Sequence, residues 1–325
     1  MPSSSRIVLT DSDDRIIAVL GGIPPGSVGE DWSRTSDEAK EAVEEFRGNS
    51  TFTQAQQHGR RGNFACRTVG FGYGNGRAQP LNFRVDGESN RKAVETLLKN
   101  PAIRRVAGFQ KSIFNSYAHK MYQEYKQTQE ELIQHHPNLC PNFPGTPFAA
   151  LSVNAGPQSY SPPHRDADNA VHGWCIDTAL GNFDPDKGGH LVLWDLGLAI
   201  RFPPGATIAF PSALITHSSV PIQKGETRYA LIQFSSGGLF RWRANGFQSD
   251  KSFASKAEPS QLAEREVLRR HRWKLSLQKF TRWGDLVQGD WKGEQRTQAG
   301  LDNVSELSDT DAGIKKLPVK RSRRH

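Results

Sequence analysis

Phe148-Ala-Ala-Leu-Ser-Val-Asn154, Trp174-Cys-Ile-Asp-Thr-Ala-Leu180, Ala206-Thr-Ile-Ala-Phe210 and Arg228-Tyr-Ala-Leu-Ile-Gln-Phe234 are short apolar runs. Runs of this length, with β-branched and aromatic residues, read as strands. Turn signals separate them: Asn154-Ala-Gly-Pro157, Pro185-Asp-Lys-Gly-Gly189, Pro203-Pro-Gly205 and Gln223-Lys-Gly225. No helical pattern intervenes between residues 148 and 243, so the block predicts a sandwich or jelly roll.

Outward from this block the text changes. Arg6-Ile-Val-Leu9, Asp11-Ser-Asp-Asp14 and Ile16-Ile-Ala-Val-Leu20 predict a hairpin closed by an acidic turn. Thr35 with Glu38 predicts a capping box before a short helix over Ala39–Phe46. Residues 60–83 are rich in Gly and Arg, and Gly70-Phe-Gly-Tyr-Gly-Asn-Gly76 predicts a strand running into a loop. Those glycines lack the strand–GxGxxG–helix setting of a phosphate-binding turn. Val106, Phe109, Ile113, Tyr117 and Met121 recur at helical spacing between Pro101 and His135-His-Pro137, which predicts one long amphipathic helix. Its stripe reads as a face packed on a sheet. A second helical pattern runs from Glu258 to Lys279, and residues from Lys292 onward have the composition of a disordered tail. The expected organisation is α+β: residues 1–250 as one domain with its core at 148–247, a basic helical extension at 251–291, and a basic tail at 292–325.

Within the β block, His164-Arg-Asp166 follows Pro162-Pro163 and is answered by His217 and then Arg228. Two imidazoles and a carboxylate are the facial triad of a non-haem Fe(II) oxygenase, which leaves three metal positions open. A chain with ten histidines meets His-x-Asp by chance easily. The setting carries the reading, because all four residues fall at strand edges where one barrel mouth brings them together. His135 and His136 end a helix and receive no role.

Composition bounds the rest. With 325 residues there is ample chain for a core. Cys66, Cys140 and Cys175 show no CxxC spacing, which argues against a zinc site or a disulfide framework and fits a reducing compartment. Met1–Arg6 is polar and unlike a signal peptide, and no apolar stretch reaches membrane-spanning length. Of the net charge of +8, residues 251–325 carry +7, with 17 Lys/Arg against 10 Asp/Glu. A near-neutral body with a basic end suits a polyanionic partner, nucleic acid first, against the plainer reading of a solvated helix and tail. Lys315-Lys-Leu-Pro-Val-Lys-Arg-Ser-Arg-Arg-His325 reads as a nuclear-import or DNA-anchoring tail.

The motifs together resemble the TET/JBP family of 2-oxoglutarate-dependent nucleic-acid oxygenases, its compact fungal branch most of all. The resemblance spans roughly residues 6–250 and rests on His164-Arg-Asp-Ala-Asp-Asn169, Gly188-Gly-His-Leu-Val-Leu-Trp194, Pro203-Pro-Gly-Ala-Thr207, His217, Gly225-Glu-Thr-Arg-Tyr229, Gly237-Gly-Leu-Phe-Arg-Trp242 and Asn245-Gly-Phe247. It implies a double-stranded β-helix (jelly-roll, cupin-like) core flanked by helices. It also implies Fe(II) held by His164, Asp166 and His217, with 2-oxoglutarate and O2 as co-substrates. Arg228 would bind the distal carboxylate of 2-oxoglutarate and His190 would reach its other end. Asn169 would read a flipped cytosine, Phe234 would stack under it, and Ser236 stands where several relatives carry a His. Asp168 would contact the base or a phosphate-bound water, Arg60 and Arg61 would line a DNA channel, and the Gly70–Gly76 loop would close on the substrate.

The implied activity is oxidation of 5-methylcytosine in DNA to 5-hydroxymethylcytosine, with 5-formyl- and 5-carboxylcytosine as further stages. N6-methyladenine, thymine or methylated RNA are alternative targets of the same chemistry. A non-catalytic nucleic-acid binder and a protein or small-molecule hydroxylase are the other readings. The first needs no intact ligand set, and the second leaves Asn169 and the basic end without a purpose.

Overall fold

The computed structural model describes residues 6–24 and 31–287. The strands in chain order are β1 (Ile7–Thr10), β2 (Ile16–Gly22), β3 (Cys66–Gly72), β4 (Leu81–Asn82), β5 (Ala150–Asn154), β6 (Cys175–Asn182), β7 (Leu191–Leu193), β8 (Leu198–Ile200), β9 (Thr207–Phe210), β10 (His217–Ser219) and β11 (Thr227–Phe234). One antiparallel sheet has the order β1-β2-β9-β6-β11-β5-β3-β4, and a smaller one has the order β10-β7-β8. The two face each other as a double-stranded β-helix, the jelly roll expected of the block. The hairpin β1–β2 forms as the sequence predicts, with Val8 opposite Val19.

Strand alternation divides the core in two. On β6, Ile176 and Leu180 join the cluster under the helices, where Tyr229, Leu231 and Val153 also pack. Cys175 and Ala179 point the other way, into a cluster with Leu191, Leu193, Phe202, Ile208 and Phe210 between the sheets. The site lies on this second, concave face.

Helices α1 (Trp32–Gly48), α2 (Gln54–Gln57), α3 (Glu88–Lys99), α4 (Pro101–Tyr117) and α5 (His119–His135) precede the β block, and α6 (Gly237–Ala244), α7 (Asp250–Lys256), α8 (Pro259–Leu277) and α9 (Trp283–Val287) follow it. α4 crosses the convex face of the large sheet. Its Gln110 donates to Thr178 Oγ1 at 2.9 Å and to Leu231 O at 2.8 Å, and accepts from Gln233 Nε2 at 2.8 Å. These buried amides satisfy one another, which removes the cost of about 1–3 kcal/mol that each orphaned group would carry.

Two local expectations are corrected. The stripe from Val106 to Met121 belongs to two helices, because Ala118 leaves helical geometry at φ −137°, ψ 45°. Beyond the break, Met121, Tyr122 and Tyr125 are buried in the same helix-side cluster as Tyr117. Thr35 and Glu38 do not cap a helix: α1 begins at Trp32, and Thr35 Oγ1 donates back to Asp31 O at 3.2 Å from inside it. Burial of Trp32, whose Nε1 donates to Gly205 O at 2.9 Å, starts the helix earlier. A true capping box sits at Thr53 and Gln56.

Beyond α8 the chain returns to the body. Phe280 and Leu286 are buried in the helix-side cluster, and Ile16 N–H donates to Thr281 O at 2.8 Å. Among the described residues no helix is long and apolar enough to cross a membrane. The tail expected from residue 292 lies outside the described residues.

Candidate metal centre

The separation between His164 and His217 is closed by a β-bridge. His164 N–H donates to His217 O at 3.0 Å, and His217 N–H donates to His164 O at 2.9 Å. Asp166 N–H donates to Ser212 O at 3.0 Å, which places its side chain on the same side. The result is a cluster in which His164, Asp166 and His217 each offer a ligand atom, all within 4.8 Å of one another. His164 Nε2 lies 3.8 Å from Asp166 Oδ1, and His217 Nε2 lies 4.0 Å from Asp166 Oδ2.

Both imidazoles are set in one tautomer. His164 Nδ1 donates to Pro162 O at 2.8 Å and His217 Nδ1 donates to Ile215 O at 2.9 Å, which leaves each Nε2 as a lone pair facing the carboxylate. Burial pushes the His217 imidazole below its usual range, against the opposing pull of Asp166. The neutral form is the one that ligates a metal. Asn169 is buried and donates to Ser212 Oγ at 3.0 Å, with its amide nitrogen 3.5 Å from Asp166 Oδ2. Its amide thus supports the carboxylate.

Arg61 comes to the cluster from a tight turn. Gly59 and Gly62 exchange two backbone hydrogen bonds of 3.1 Å, so Arg60 and Arg61 form the tip. Gly62 has φ +140°, and a Cβ there would stand 2.4 Å from Tyr160 O, so only glycine lets the turn rest against the segment leading to His164. Arg61 Nη2 lies 2.6 Å from Asp166 Oδ1. That oxygen still lacks an aligned hydrogen-bond donor, so the contact is one of charge. Arg60 is exposed at the tip.

Arg228 opens the far end of the same cavity. Its backbone is fixed by N–H donation to Pro157 O at 2.7 Å and by Ser159 Oγ donating to Arg228 O at 2.8 Å. Nη1 donates to Ser159 O at 2.9 Å, and the guanidinium lies 6.0 Å from the Phe202 ring centre. Nε is buried without a partner. Among the described residues no carboxylate lies within the 4.0 Å of an ion pair. A buried cation with an orphaned donor, facing a cavity it shares with the cluster, fits an incoming carboxylate.

Three donors on one face of an ion, with Arg228 at the other end of the cavity, fit Fe(II), 2-oxoglutarate and O2. The cavity wall also includes Phe234, Phe210, Ser159, Ser161, Cys175 and Asp177. Phe210 sets its edge against His217, with ring centres 4.9 Å apart.

The other expected residues are placed as follows. Ser236 Oγ accepts from Tyr73 N–H at 3.2 Å, and Asp168 Oδ2 accepts from Asn75 Nδ2 at 3.1 Å. Both hold the Gly70–Gly76 loop against the segment after the cluster, where Tyr73 also packs edge-on against Trp242. His190 is not among the cavity-lining residues; strand alternation gives the inward position to Leu191. Sequence reasoning missed Asp177, Ser159 and Ser212. Asp177 carried a legible signal, as an acid inside an apolar strand; the serines carried none.

No protein-family model matches this sequence, and no curated protein does. Among solved structures the chain is similar to NgTET1 in complex with 5mC DNA, with 14% identity and a TM-score of 0.40, covering 73% of this chain and 84% of that one. It is also similar to OsALKBH1, with 13% identity and a TM-score of 0.36 over 67% and 96% of the two chains. An oxidoreductase of the 2OG-Fe(II) oxygenase family from Burkholderia pseudomallei matches at 16% identity and a TM-score of 0.29 over 52% and 66%. The cavity and its residues, not these likenesses, carry the chemistry.

Proposed function

We propose that this protein is an Fe(II)- and 2-oxoglutarate-dependent dioxygenase that hydroxylates the methyl group of 5-methylcytosine flipped out of DNA. The observation that carries the reading is the His164–Asp166–His217 cluster sharing one cavity with a buried, unpaired Arg228. When bound, Fe(II) lets 2-oxoglutarate and O2 yield succinate and CO2 and place the second oxygen atom in a C–H bond of the substrate.

The chain's own residues do the rest. His164, Asp166 and His217 hold the ion on one side, and Arg228 fixes the orientation of the co-substrate through its distal carboxylate. Phe210 and Phe234 make part of the wall apolar, which limits stray water near the reacting carbon. Phe234, which lines the cavity, would offer a ring face to a flipped base, whereas Asn169 is buried behind Asp166 and would read the base edge only if its amide left Ser212.

Support for nucleic acid comes from a second groove that shares Arg61 with the cavity. Arg60, Arg61, Arg77 and Arg84 line it together with Phe64 and Phe83, and none of its lining residues is acidic. Arginines interleaved with aromatics suit a strand of phosphates and bases. A nuclear location follows from this substrate and from the basic run at 315–325, which lies outside the described residues.

The test is incubation with Fe(II), 2-oxoglutarate and a methylcytosine duplex, followed by digestion to nucleosides and mass spectrometry. 5-Hydroxymethylcytosine should form, with formyl- and carboxylcytosine as later products, and none should form with His217→Ala. Turnover of N6-methyladenine alone would move the substrate assignment. Succinate without any nucleic-acid product would remove it.

A further inference from the structure

Asp177 lies on the concave face of β6, opposite Ile232 of β11 and Ile208 of β9. Two register steps further along, Arg228 stands opposite Gly181. Between them Ala179 pairs with Ala230. Ala230 lines the cavity there, in a bay with an acid at one end and a guanidinium at the other. Gly181 is required at its edge, since a Cβ there would lie 2.2 Å from Thr227 O and 2.9 Å from Arg228 Cα.

Each end of the bay holds an orphaned buried atom, Asp177 Oδ1 and Arg228 Nε. The two side chains do not satisfy each other, since no ion pair joins them. A ligand that satisfies both must accept from Arg228 and also meet the carboxyl of Asp177. A carboxylate does the first, and it does the second only if Asp177 carries a proton. Were both carboxyls ionised, two negative charges would face a single buried guanidinium, an arrangement that like-charge repulsion disfavours.

We propose that Asp177, as the carboxylic acid, donates a hydrogen bond to the distal carboxylate that Arg228 binds, so that the dicarboxylic 2-oxo acid enters together with one proton from solvent. This rests on the co-substrate reading above and adds a positioning residue to it. The proton balances the charges: one guanidinium, one carboxylate and one neutral acid. Burial raises the acid of Asp177 to about 6, with Arg228 lowering it and Asp166 raising it. The other titratable groups around the cavity are Cys175 on the same strand, Arg61, and the metal-binding His164 and His217. Cys175 stays a neutral thiol, its acidity suppressed by burial.

The test is calorimetry of 2-oxoglutarate binding to protein loaded with Mn(II), a redox-silent stand-in, in two buffers of different ionisation enthalpy. Near pH 8 the wild type should take up about one proton per ligand, and its affinity should fall about tenfold per pH unit above about pH 7. Working above neutrality keeps both metal-bound imidazoles out of the titration. Asp177→Asn offers an amide N–H in the same place, so it should bind within a few-fold of wild type near pH 7 with no proton uptake and a flat profile. Asp177→Val should take up no proton and bind about tenfold more weakly than Asp177→Asn, in line with one lost hydrogen bond. Thermal unfolding of each variant checks that it folds. Binding by wild type without proton uptake, or a wild-type proton count in Asp177→Asn, overturns the role of Asp177 and leaves the oxygenase reading standing. No binding of 2-oxoglutarate by Mn(II)-loaded wild type overturns both.

Discussion

Arg228 keeps a positive charge where solvent barely reaches, and the fold spends only one backbone carbonyl on it. An unpaired buried ion costs several kcal/mol even after relaxation. Arg228→Met should therefore be at least as stable as wild type without co-substrate, while 2-oxoglutarate binds about 100-fold more weakly or worse, as expected when a buried charge partner is removed. Thermal unfolding and calorimetry read the two effects; unchanged affinity would take Arg228 out of the site. Asp177 carries the opposite penalty. Its folded value of about 6 lies above the ordinary 3.8, so the folded protein holds the proton more tightly. Its contribution to stability is full below about pH 3.8 and is lost as pH rises through 6, by up to about 3 kcal/mol. The stability of Asp177→Asn relative to wild type should accordingly grow between those limits in denaturant unfolding, and a constant difference would mean that Asp177 titrates normally. That His164, Asp166 and His217 would cluster was legible because their residue types and order allow few other purposes in a β block, and Arg228 lines the same cavity. Asp177 was equally visible as a letter, but its meaning depends on the bay it shares with Arg228 across the strands, which only register reveals. Arg61 was expected along a nucleic-acid channel; its contact with Asp166 follows from a turn whose geometry no local spacing encodes.

The elements succeed where one period decides and fail where a tertiary contact does. Strand runs between 148 and 234 and the hairpin at the start were legible because alternation and turn residues agree. The break at Ala118 was not, since neither proline nor glycine marks it, and Tyr117 and Met121 on either side of it enter one buried cluster. The turn at Gly59–Gly62 is the small element on which the site most depends. Gly62→Ala would place a methyl 2.4 Å from Tyr160 O and 2.6 Å from the Phe64 ring, at a φ that only glycine adopts readily. It should lower stability by about 2 kcal/mol or more and shift Arg61. The Michaelis constant for oligonucleotide should rise several-fold while 2-oxoglutarate affinity holds. Gly197→Ala is the matched control. Its φ is +63° with open space around it, so it should cost only about 1 kcal/mol and leave both constants unchanged. Equal behaviour of the two variants would mean that backbone strain alone, and not the position of the turn, governs the site.

Taken whole, the molecule places a shallow cationic groove beside a deep cavity, and the two meet at Arg61. The net charge of +8 suggests a polyanionic partner, and most of the surplus sits beyond residue 250. The groove itself belongs to the near-neutral body and is basic only because four arginines separated by up to 24 positions converge there. Arg77 lies over the Phe83 ring at 4.5 Å, and the ion pair of Arg84 with Asp86 is exposed and therefore weak, so both guanidinia are available to phosphate. If a strand of DNA runs along this groove, each arginine that meets a phosphate releases condensed counterions. Replacing Arg77 by Gln, and separately Arg84 by Gln, should each flatten the slope of log affinity against log salt by about 1 on a short duplex. Removing residues 315–325 should flatten it only on duplexes long enough to reach beyond the groove, with product formation on short ones unchanged. Slopes that ignore Arg77 and Arg84 yet collapse on loss of residues 315–325 would put the nucleic acid on the tail alone, and the cavity would then need a substrate other than a base delivered along that groove.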